Sequence, residues 1–364
     1  MADSPQPKRK AAGLLRRLTS PFRPSVVYPS KYLDLTGKTA LVTGTTSGIG
    51  LEACRQLLSH GVSQLVMSAR TKIRGEAVAN ELRIQYPHAD IQVWILEMEA
   101  YDSVVAFVER AIIDLDRLDM VILNAGTFEP DASVSPYTGH EKMFQVNCLS
   151  TALLVRLFIP VLKVVPPAGE TSRLTVVTAG HYNPQWYNSE WTTYEDMCRI
   201  DLLDESNFFR LRALWKYFLK SKMLLQPYLS ELAAVVNPDE VIVNLVTPCL
   251  VRDTQLADKA IHMGWFHRWI KSTYALVGTT LEKGAATYID AVAVKGKESH
   301  GRTIIDCRVL DRCKPLEHQA FKLWLKTELE FHSLFVGEKT LGAKIHNAVT
   351  DEILHNYLSN RFYT

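Results

Sequence analysis

The sequence predicts an α/β fold built on a doubly wound parallel sheet of about seven strands, with helices on both faces. Three observations predict it. In a chain of 364 residues, 47% are apolar and 22% are charged, which is typical of a globular protein with a large core. Short β-type runs alternate with longer amphipathic runs from Lys38 onwards. A glycine-rich turn at residues 43–50 follows the first β-type run.

The chain is predicted to form a single domain with an extension at each end. Residues 1–34 are rich in proline, serine and basic side chains, which predicts a disordered N-terminal extension. The domain itself is assigned to residues 35–330. Residues 331–364 form the C-terminal extension, for which the sequence leaves a lid helix, a dimer contact or an unstructured tail open.

Strands and helices alternate through the domain. Ligands of such a sheet bind at the carboxyl ends of its strands, so functional residues are expected there. The predicted strands are 39–43, 64–68, 91–96, 119–123, 173–178, 240–246 and 302–306. The predicted helices are 48–60, 73–86, 101–115, 139–163, 212–234 and 282–294.

The glycine-rich turn predicts a Rossmann-type dinucleotide site. Its sequence, TGTTSGIG, has the spacing G-x-x-x-G-x-G between a strand and a helix. The glycines permit the turn, let the backbone approach a pyrophosphate and let the helix pack close to the strand. The helix N-terminus then presents free N–H groups to the phosphates. The predicted cofactor contacts are Gly44, Ser47, Gly48, Ile49 and Gly50; the alternative is a purely structural turn.

The ends of the next strands indicate which cofactor binds. Arg70 stands where an acidic residue would bind the ribose of NAD, and its guanidinium suits the 2′-phosphate of NADP. Glu97 is interpreted either as an acceptor for the adenine amino group or as a surface cap. Asn124 is expected to stabilise the fourth strand's end and to line the cleft, and Gly126 to let the cofactor lie against the backbone. The predicted cofactor is therefore NADP, NADPH in its reduced form.

Charge and cysteine patterns restrict the partners. The net charge of +2 gives no support for a nucleic-acid partner. Residues 1–31 hold seven Lys/Arg and one Asp, so the basic N-terminus allows at most peripheral contact with a membrane. The six cysteines show no CxxC or other metal-ligand spacing. The sequence thus predicts a cytoplasmic protein without a metal site, and it leaves a homodimer open.

Taken together, these motifs resemble the short-chain dehydrogenase/reductase family. The SHGRTIIDC segment at 299–307 further resembles its retinol-dehydrogenase-like branch, which is found in fungal secondary-metabolite pathways. The resemblance implies transfer of a hydride between nicotinamide C4 and a carbonyl or alcohol carbon. It also implies a proton-donating Tyr, a Lys one helical turn later, a Ser that polarises the oxygen and an upstream Asn. The matching pieces are residues 43–50, 124–126, 146–147, 174–181, 221–222 and 247–248.

Asn147 matches the family's upstream Asn and is assigned a catalytic role on that basis. The Ser position departs from the family pattern, because the sequence aligns it with Ala179, which carries no hydroxyl. The neighbouring Thr178 is expected to point to the opposite face of the strand. His181 is the alternative donor.

The Tyr-Lys pair departs as well. Tyr217 and Lys222 are assigned as the catalytic and ribose-binding pair, but they are five residues apart instead of four. On a regular helix this spacing places them on different faces. Three alternatives stay open: Phe218 occupies the Tyr position, Ser221 occupies the Lys position, or a π-bulge restores Tyr217 and Lys222 to one face.

Aromatic-rich loops at 181–211 and 255–280 suggest a bulky hydrophobic alcohol or ketone as substrate. Val251 and Thr254 are expected to contact the cofactor. The predicted function is an NADP-dependent oxidoreductase of secondary-metabolite biosynthesis. The alternative is a repurposed or inactive family member, either an isomerase or cyclase or a cofactor-binding scaffold.

Overall fold

The structure is a computed structural model. The predicted disorder of the N-terminus, the alternative donor His181 and most of both aromatic loops fall outside the residues it describes. It describes residues 28–129, 133–164, 171–180, 207–248, 250–252, 254, 278–311, 317–338, 340–347 and 350–351.

An eight-stranded sheet forms the centre of the protein. Its order is β3-β2-β1-β4-β5-β6-β7-β8, with seven parallel strands and an antiparallel β8. The strand order reverses between β1 and β4, and this is where an open α/β sheet forms its ligand crevice. The strands are β1 Thr39–Val42, β2 Gln64–Ala69, β3 Asp90–Ile95, β4 Met120–Leu123, β5 Ser172–Val177, β6 Val241–Thr247, β7 Thr303–Ile305 and β8 Arg308–Val309.

Helices cover both faces of the sheet, as predicted. Every residue of β1, β4 and β6 is buried, as expected for parallel strands covered on both sides. One apolar cluster joins the sheet to α1, α2 and α8, and a second joins it to α3, α5, α6, α7 and α9. The helices are α1 Gly48–Ser59, α2 Lys72–Gln85, α3 Tyr101–Asp114, α4 Lys142–Phe144, α5 Ser150–Val164, α6 Asn207–Met223, α7 Leu225–Val235, α8 Leu281–Ile289 and α9 Glu317–Phe335.

The eighth strand was not expected from the sequence. It pairs with β7 across the two-residue turn Asp306-Cys307, whose φ angles are 51° and 60°. Positive φ at both central residues is the requirement of a type I′ hairpin turn. The usual Asn-Gly or Asp-Gly signal for such a turn is absent, and β8 has only two residues.

Helix α4, the π-helical segment Gln145–Leu149 and α5 run continuously along the chain. Within the described residues, 142–163 is the one helical stretch long and apolar enough to cross a membrane, with a mean hydropathy of 1.6. Its most apolar window is 94% buried inside the protein, so the stretch serves as a core helix.

The predicted domain boundary at residue 330 falls inside α9. Phe331 and Phe335 join the apolar cluster of α3 and α5, and so do Ala343 and Ile345 from the helical residues 341–347. The described part of 331–364 therefore continues the domain instead of extending from it. These apolar side chains cover helices, a contact that no local sequence pattern indicates.

Arg156 of α5 is completely buried in this otherwise apolar region. Its Nη1 lies 2.5 Å from Glu328 Oε2 of α9, and its Nη2 donates to Thr350 Oγ1 at 2.6 Å. Its Nε donates to His346 Nδ1 at 3.2 Å. The polar partners of a core cation thus come from the last part of the chain.

Removing the carboxylate tests this role. Glu328→Gln should lower the free energy of unfolding by about 3–5 kcal/mol, because Arg156 would remain charged and buried without its partner. Urea-induced unfolding followed by circular dichroism measures this. The matched control is Asp114→Asn, which breaks the half-exposed Arg110–Asp114 pair at 2.8 Å and should change stability by less than about 1 kcal/mol. Equal effects of the two variants on stability would contradict the role of Glu328 as the charge partner of buried Arg156.

Candidate cofactor and active site

The glycine turn between β1 and α1 is tightly packed at two of its glycines. A Cβ atom on Gly50 would lie 2.3 Å from the Gly44 carbonyl oxygen and 2.4 Å from Asn124 Nδ2. A Cβ atom on Gly44 would lie 2.9 Å from Ala125 Cα. By contrast, a Cβ atom on Gly48, the first residue of α1, would have no neighbour within 4 Å. The turn therefore packs on the end of β4 and leaves space at the helix N-terminus, where a phosphate group fits.

Asn124 holds this turn in place. Its Nδ2 donates to the carbonyl oxygens of Thr43 and Gly44 at 3.0 and 3.1 Å, and its Oδ1 accepts from the Tyr288 hydroxyl at 3.2 Å. The amide thereby joins β1, β4 and α8. This is the stabilising position expected for Asn124 at the end of a central strand.

The residues expected to select the cofactor lie along the same edge. Arg70 directly follows β2, is exposed and forms no ion pair with the described residues. The Glu97 carboxylate accepts from the Glu99 N–H at 3.1 Å, which corresponds to the surface-cap interpretation. Ser47 occupies the N-cap position of α1, and its side chain makes no capping hydrogen bond.

Val251 and Thr254 follow β6. Val251 is buried and packs against α8, where a Cβ atom on Gly284 would lie 2.9 Å from Val251 Cγ2 and 3.7 Å from Ile49 Cδ1. Val251 therefore lies close to the first turn of α1. Thr254 is half-buried.

Lys222 of α6 reaches the end of the central strands. It is 4% exposed, and its Nζ donates to the carbonyl oxygens of Ala125 and Val177 at 3.2 and 3.4 Å. A Cβ atom on Gly126 would lie 2.6 Å from this Nζ, so only glycine leaves room for the amine. Burial lowers the pKa of Lys222 to about 8, and Cys148 opposes the shift.

Asn147 lies beside Lys222 within the π-helical segment. Its Nδ2 donates to the Thr127 carbonyl oxygen at 2.9 Å and to Ser221 Oγ at 3.0 Å, and its Oδ1 accepts from the Thr127 N–H at 2.8 Å. Asn147 and Lys222 are thus both held against the loop that follows β4. The structure brings these two predicted residues together.

The structure contains no π-bulge between Tyr217 and Lys222, which was one of the three alternatives for this pair. Helix α6 is α-helical throughout Asn207–Met223, and the irregularity falls at Leu224. Pro227 explains its position, because proline has no N–H to donate to the carbonyl group four residues earlier. The π-helical segment instead lies in the neighbouring helix and contains Asn147.

The regular helix removes Tyr217 from the cleft. Five residues turn an α-helix through about 140° net, so Tyr217 does not share the face of Lys222. Its side chain is completely buried and lies against the buried Glu141. Burial raises the pKa of Glu141 to about 7, while hydrogen bonds from the N–H groups of Phe144 and Met143 and from Tyr217 lower it. The structure thus places the Tyr217 side chain in the core beside Glu141, and its catalytic and cofactor-binding roles stay predictions.

Phe218 occupies the Tyr position instead. It lies one turn before Lys222, and its ring stacks on Trp215 with a centroid distance of 5.3 Å and an interplanar angle of 21°. Phe128, after β4, makes edge contacts with Phe218 at 5.8 Å and with Trp215 at 5.5 Å. We call Phe128, Trp215 and Phe218 the aromatic wall.

The end of β5 supplies no serine. Ala179 stands in that position, and the Thr178 hydroxyl donates to the Lys222 carbonyl oxygen at 2.8 Å, away from the cleft. Sequence reasoning missed Glu141 and the aromatic wall. The helical spacing of Trp215, Phe218 and Lys222 was the signal that could have identified the aromatic wall. That spacing places them on one face only if α6 is a regular α-helix.

Comparisons with known proteins point to one family. The family model described as short chain dehydrogenase matches residues 38–185. The short chain dehydrogenase/reductase mfmJ of Annulohypoxylon moriforme is 37% identical over 288 residues, which are 79% of this chain and 81% of that protein. The short-chain dehydrogenase fogG of Aspergillus ruber is 30% identical over 353 residues, covering 94% of this chain and 93% of that protein.

Solved structures show the same fold. A short chain dehydrogenase from Salmonella enterica has a TM-score of 0.56 at 18% identity, covering 77% of this chain and 99% of that chain. An Escherichia coli CFT073 protein of the short chain dehydrogenase type, solved in complex with NADPH, has a TM-score of 0.54 at 17% identity over 76% of this chain and 99% of that chain.

The crowding at Gly50 can be tested by adding one methyl group. Gly50→Ala should weaken NADPH binding at least about 10-fold, because the turn must move away from Asn124 to admit the Cβ atom. Titration of NADPH fluorescence measures the dissociation constant. Gly139→Ala is the control for a general loss of stability: a Cβ atom there has no neighbour within 4 Å, but the φ of 77° strains any residue other than glycine, so this variant should be destabilised without weaker NADPH binding. Unchanged affinity in Gly50→Ala would show that the turn does not hold the cofactor.

The position of Tyr217 gives a second test. Tyr217→Phe should leave NADPH affinity unchanged within about 2-fold, and should lower the free energy of unfolding by about 1–3 kcal/mol because buried Glu141 loses a donor. Fluorescence titration and urea unfolding check the two parts. A loss of NADPH affinity with unaltered stability would mean that Tyr217 contacts the cofactor and does not stabilise Glu141.

Proposed function

Because this chain belongs to the short-chain dehydrogenase/reductase family, we propose that it is an NADP-dependent oxidoreductase that acts on a bulky hydrophobic alcohol or ketone. One observation carries the proposal: the glycine turn, the Asn124 amide and the Lys222 amine meet at the carboxyl ends of β1, β4 and β5. This is the crevice in which an α/β sheet binds its ligand.

The residues at this edge fit a nicotinamide dinucleotide. The open N-terminus of α1 at Gly48 suits the pyrophosphate, and Gly126 leaves the backbone accessible beside Lys222. Arg70, exposed at the end of β2, suits the 2′-phosphate of NADP. When bound, the cofactor supplies a hydride at nicotinamide C4.

The protein's own residues orient the reactants and handle the proton. Lys222 holds its ammonium group at the ends of β4 and β5. Asn147 fixes the loop after β4, which lies against Lys222. The aromatic wall places apolar rings where the family pattern has a hydroxyl. Such a wall favours a hydrophobic substrate, and a secondary metabolite of the polyketide or terpenoid class would suit it.

Three further points belong to the proposal. Cys54, Cys148 and Cys307 are buried and form no disulfide, which favours a reducing compartment such as the cytoplasm. A homodimer stays a prediction. So does peripheral membrane contact of the basic N-terminus.

A second candidate function is favoured by a specific observation. The Tyr position is Phe218 and the Ser position is Ala179, so the described part of the cleft lacks both hydroxyl groups of the family pattern. A non-redox isomerase, cyclase or cofactor-binding scaffold would tolerate this loss. Adding hydrophobic ketones to the NADPH-bound protein separates the two functions: consumption of NADPH supports the oxidoreductase, and binding without consumption supports the alternative.

Restoring the missing hydroxyl tests the site directly. Phe218→Tyr should raise the turnover number for ketone reduction by about 10-fold, because a hydroxyl proton donor would then stand one turn before the Lys222 amine. NADPH absorbance at saturating ketone measures it. Trp215→Tyr is the control, since it places a hydroxyl elsewhere on the aromatic wall. Equal effects of both variants would mean that position 218 has no special access to the substrate.

The role of Arg70 gives a test of cofactor choice. Arg70→Ala should weaken NADPH binding by about 10- to 100-fold and leave NADH binding unchanged, because a charge-assisted hydrogen bond contributes about 1.5–3 kcal/mol. Fluorescence titrations with both nucleotides check this. Lys72→Ala, in the exposed first turn of α2, serves as the control. Parallel weakening of NADPH and NADH would contradict the 2′-phosphate contact.

A further inference from the structure

We propose that Lys222 Nζ itself gives and takes the proton of the reaction, in place of a tyrosine hydroxyl. This inference rests on the proposed oxidoreductase function and assigns its acid–base group. Three observations support it: which side chains of α6 face the cleft, which hydrogen bonds Lys222 Nζ makes, and which groups lie near the amine.

The cleft-facing side of α6 carries one ionisable group among the residues described. Trp215, Phe218 and Lys222 follow one another at helical spacing, and the first two are apolar rings. On the neighbouring face, Tyr217 lies against Glu141, and Ser221 accepts a hydrogen bond from Asn147. Neither of these hydroxyls faces the cleft.

Other groups near the amine are already engaged. Thr127, after β4, donates its hydroxyl hydrogen to Glu129 Oε1 at 2.6 Å. Thr178, after β5, is hydrogen-bonded to α6. Cys148, from the π-helical segment, is buried and raises the pKa of Lys222. Cys148 is thus the titratable group that acts on Lys222, and Glu129 and Glu141 lie on neighbouring segments.

The amine has a donor to spare. An ammonium group has three N–H bonds, and Lys222 directs two of them to the carbonyl oxygens of Ala125 and Val177. The remaining N–H is available for a ligand oxygen, and the missing side chain of Gly126 keeps that approach open. Because burial lowers the pKa of Lys222 to about 8, both protonation states are populated near neutral pH.

In reduction, the carbonyl carbon accepts the hydride as NADPH is oxidised to NADP⁺. The carbonyl oxygen forms an O–H bond as an Nζ–H bond of Lys222 breaks, which leaves a neutral amine that regains a proton from water. In alcohol oxidation the neutral amine accepts the hydroxyl proton. Reduction should therefore slow, and oxidation quicken, as the pH rises through about 8.

Lys222→Arg separates proton transfer from electrostatic binding. Arginine keeps the charge and the donors but does not release a proton in proteins. The expected result is a turnover number reduced at least about 100-fold, with NADPH affinity retained within about 3-fold. Lys216→Arg, an exposed position on the same helix, is the matched control and should change neither quantity. If Lys222→Arg keeps more than about a third of the turnover, the inference is overturned.

A second variant guards against misfolding at this tight site. Phe218→Tyr combined with Lys222→Arg supplies a new proton donor beside the arginine and should recover turnover at least about 10-fold over Lys222→Arg. Failure of this rescue in a double variant that still binds NADPH would contradict the inference.

A measurement without turnover uses the unaltered protein. Brief acylation with acetic anhydride across pH 6–10, read by peptide mass spectrometry, reports the fraction of neutral amine at Lys222 and at Lys216. Lys222 should reach half-maximal labelling near pH 8, and NADPH should protect Lys222 alone. Identical pH curves for the two lysines would overturn the inference. The proposed function fails separately, if the unaltered protein binds NADPH and consumes none with any ketone.

Discussion

The regular α-helix over Asn207–Met223 is the constraint on which the chemistry of this protein depends. With about 100° of rotation per residue, an uninterrupted helix cannot present residues 217 and 222 in one direction. Hydrogen bonds to the carbonyl oxygens of Ala125 and Val177 anchor Lys222. They fix the rotation of the helix about its axis, so Tyr217 cannot turn into the cleft. Phe218 therefore fills the position from which a proton donor would act, and Tyr217 contributes to packing against Glu141.

The same edge of the sheet shows how closely backbones approach one another. Gly44, Gly50 and Gly126 each occupy a point where a single methyl group would come within 3 Å of a neighbouring atom. Their absent side chains let Asn124 reach the turn and let Lys222 reach the end of β4. The dinucleotide crevice is thus formed mainly by backbone, and a few polar side chains hold that backbone in position.

The C-terminal part of the chain contributes in a different way. Helix α9 and residues 341–347 cover the helices behind the sheet and supply the partners of the buried Arg156. Glu330 of α9 also accepts hydrogen bonds from Tyr101 at 2.5 Å and His140 at 2.7 Å, next to the loop that leads to Glu141. Residues remote from the cofactor in sequence therefore support the helix that carries Asn147. The relative fogG matches 94% of this chain, so the similarity extends beyond the central domain.

The sequence by itself determined the fold class, the positions of seven strands along the chain and the glycine turn of the predicted dinucleotide site. These features follow from hydrophobic periodicity and glycine spacing, which are local signals. It also identified Asn147, Lys222 and Gly126, which the structure places around one loop. Only the tertiary structure decided between the three alternatives for the Tyr-Lys pair, because Pro227 moves the helix irregularity to Leu224 and thereby past Lys222. Likewise, the β8 hairpin, the burial of Glu141 and the place of residues 331–347 in the core were decided by contacts between distant segments. Contacts between distant segments produce no local pattern in the sequence, whereas strands, helices and glycine turns do.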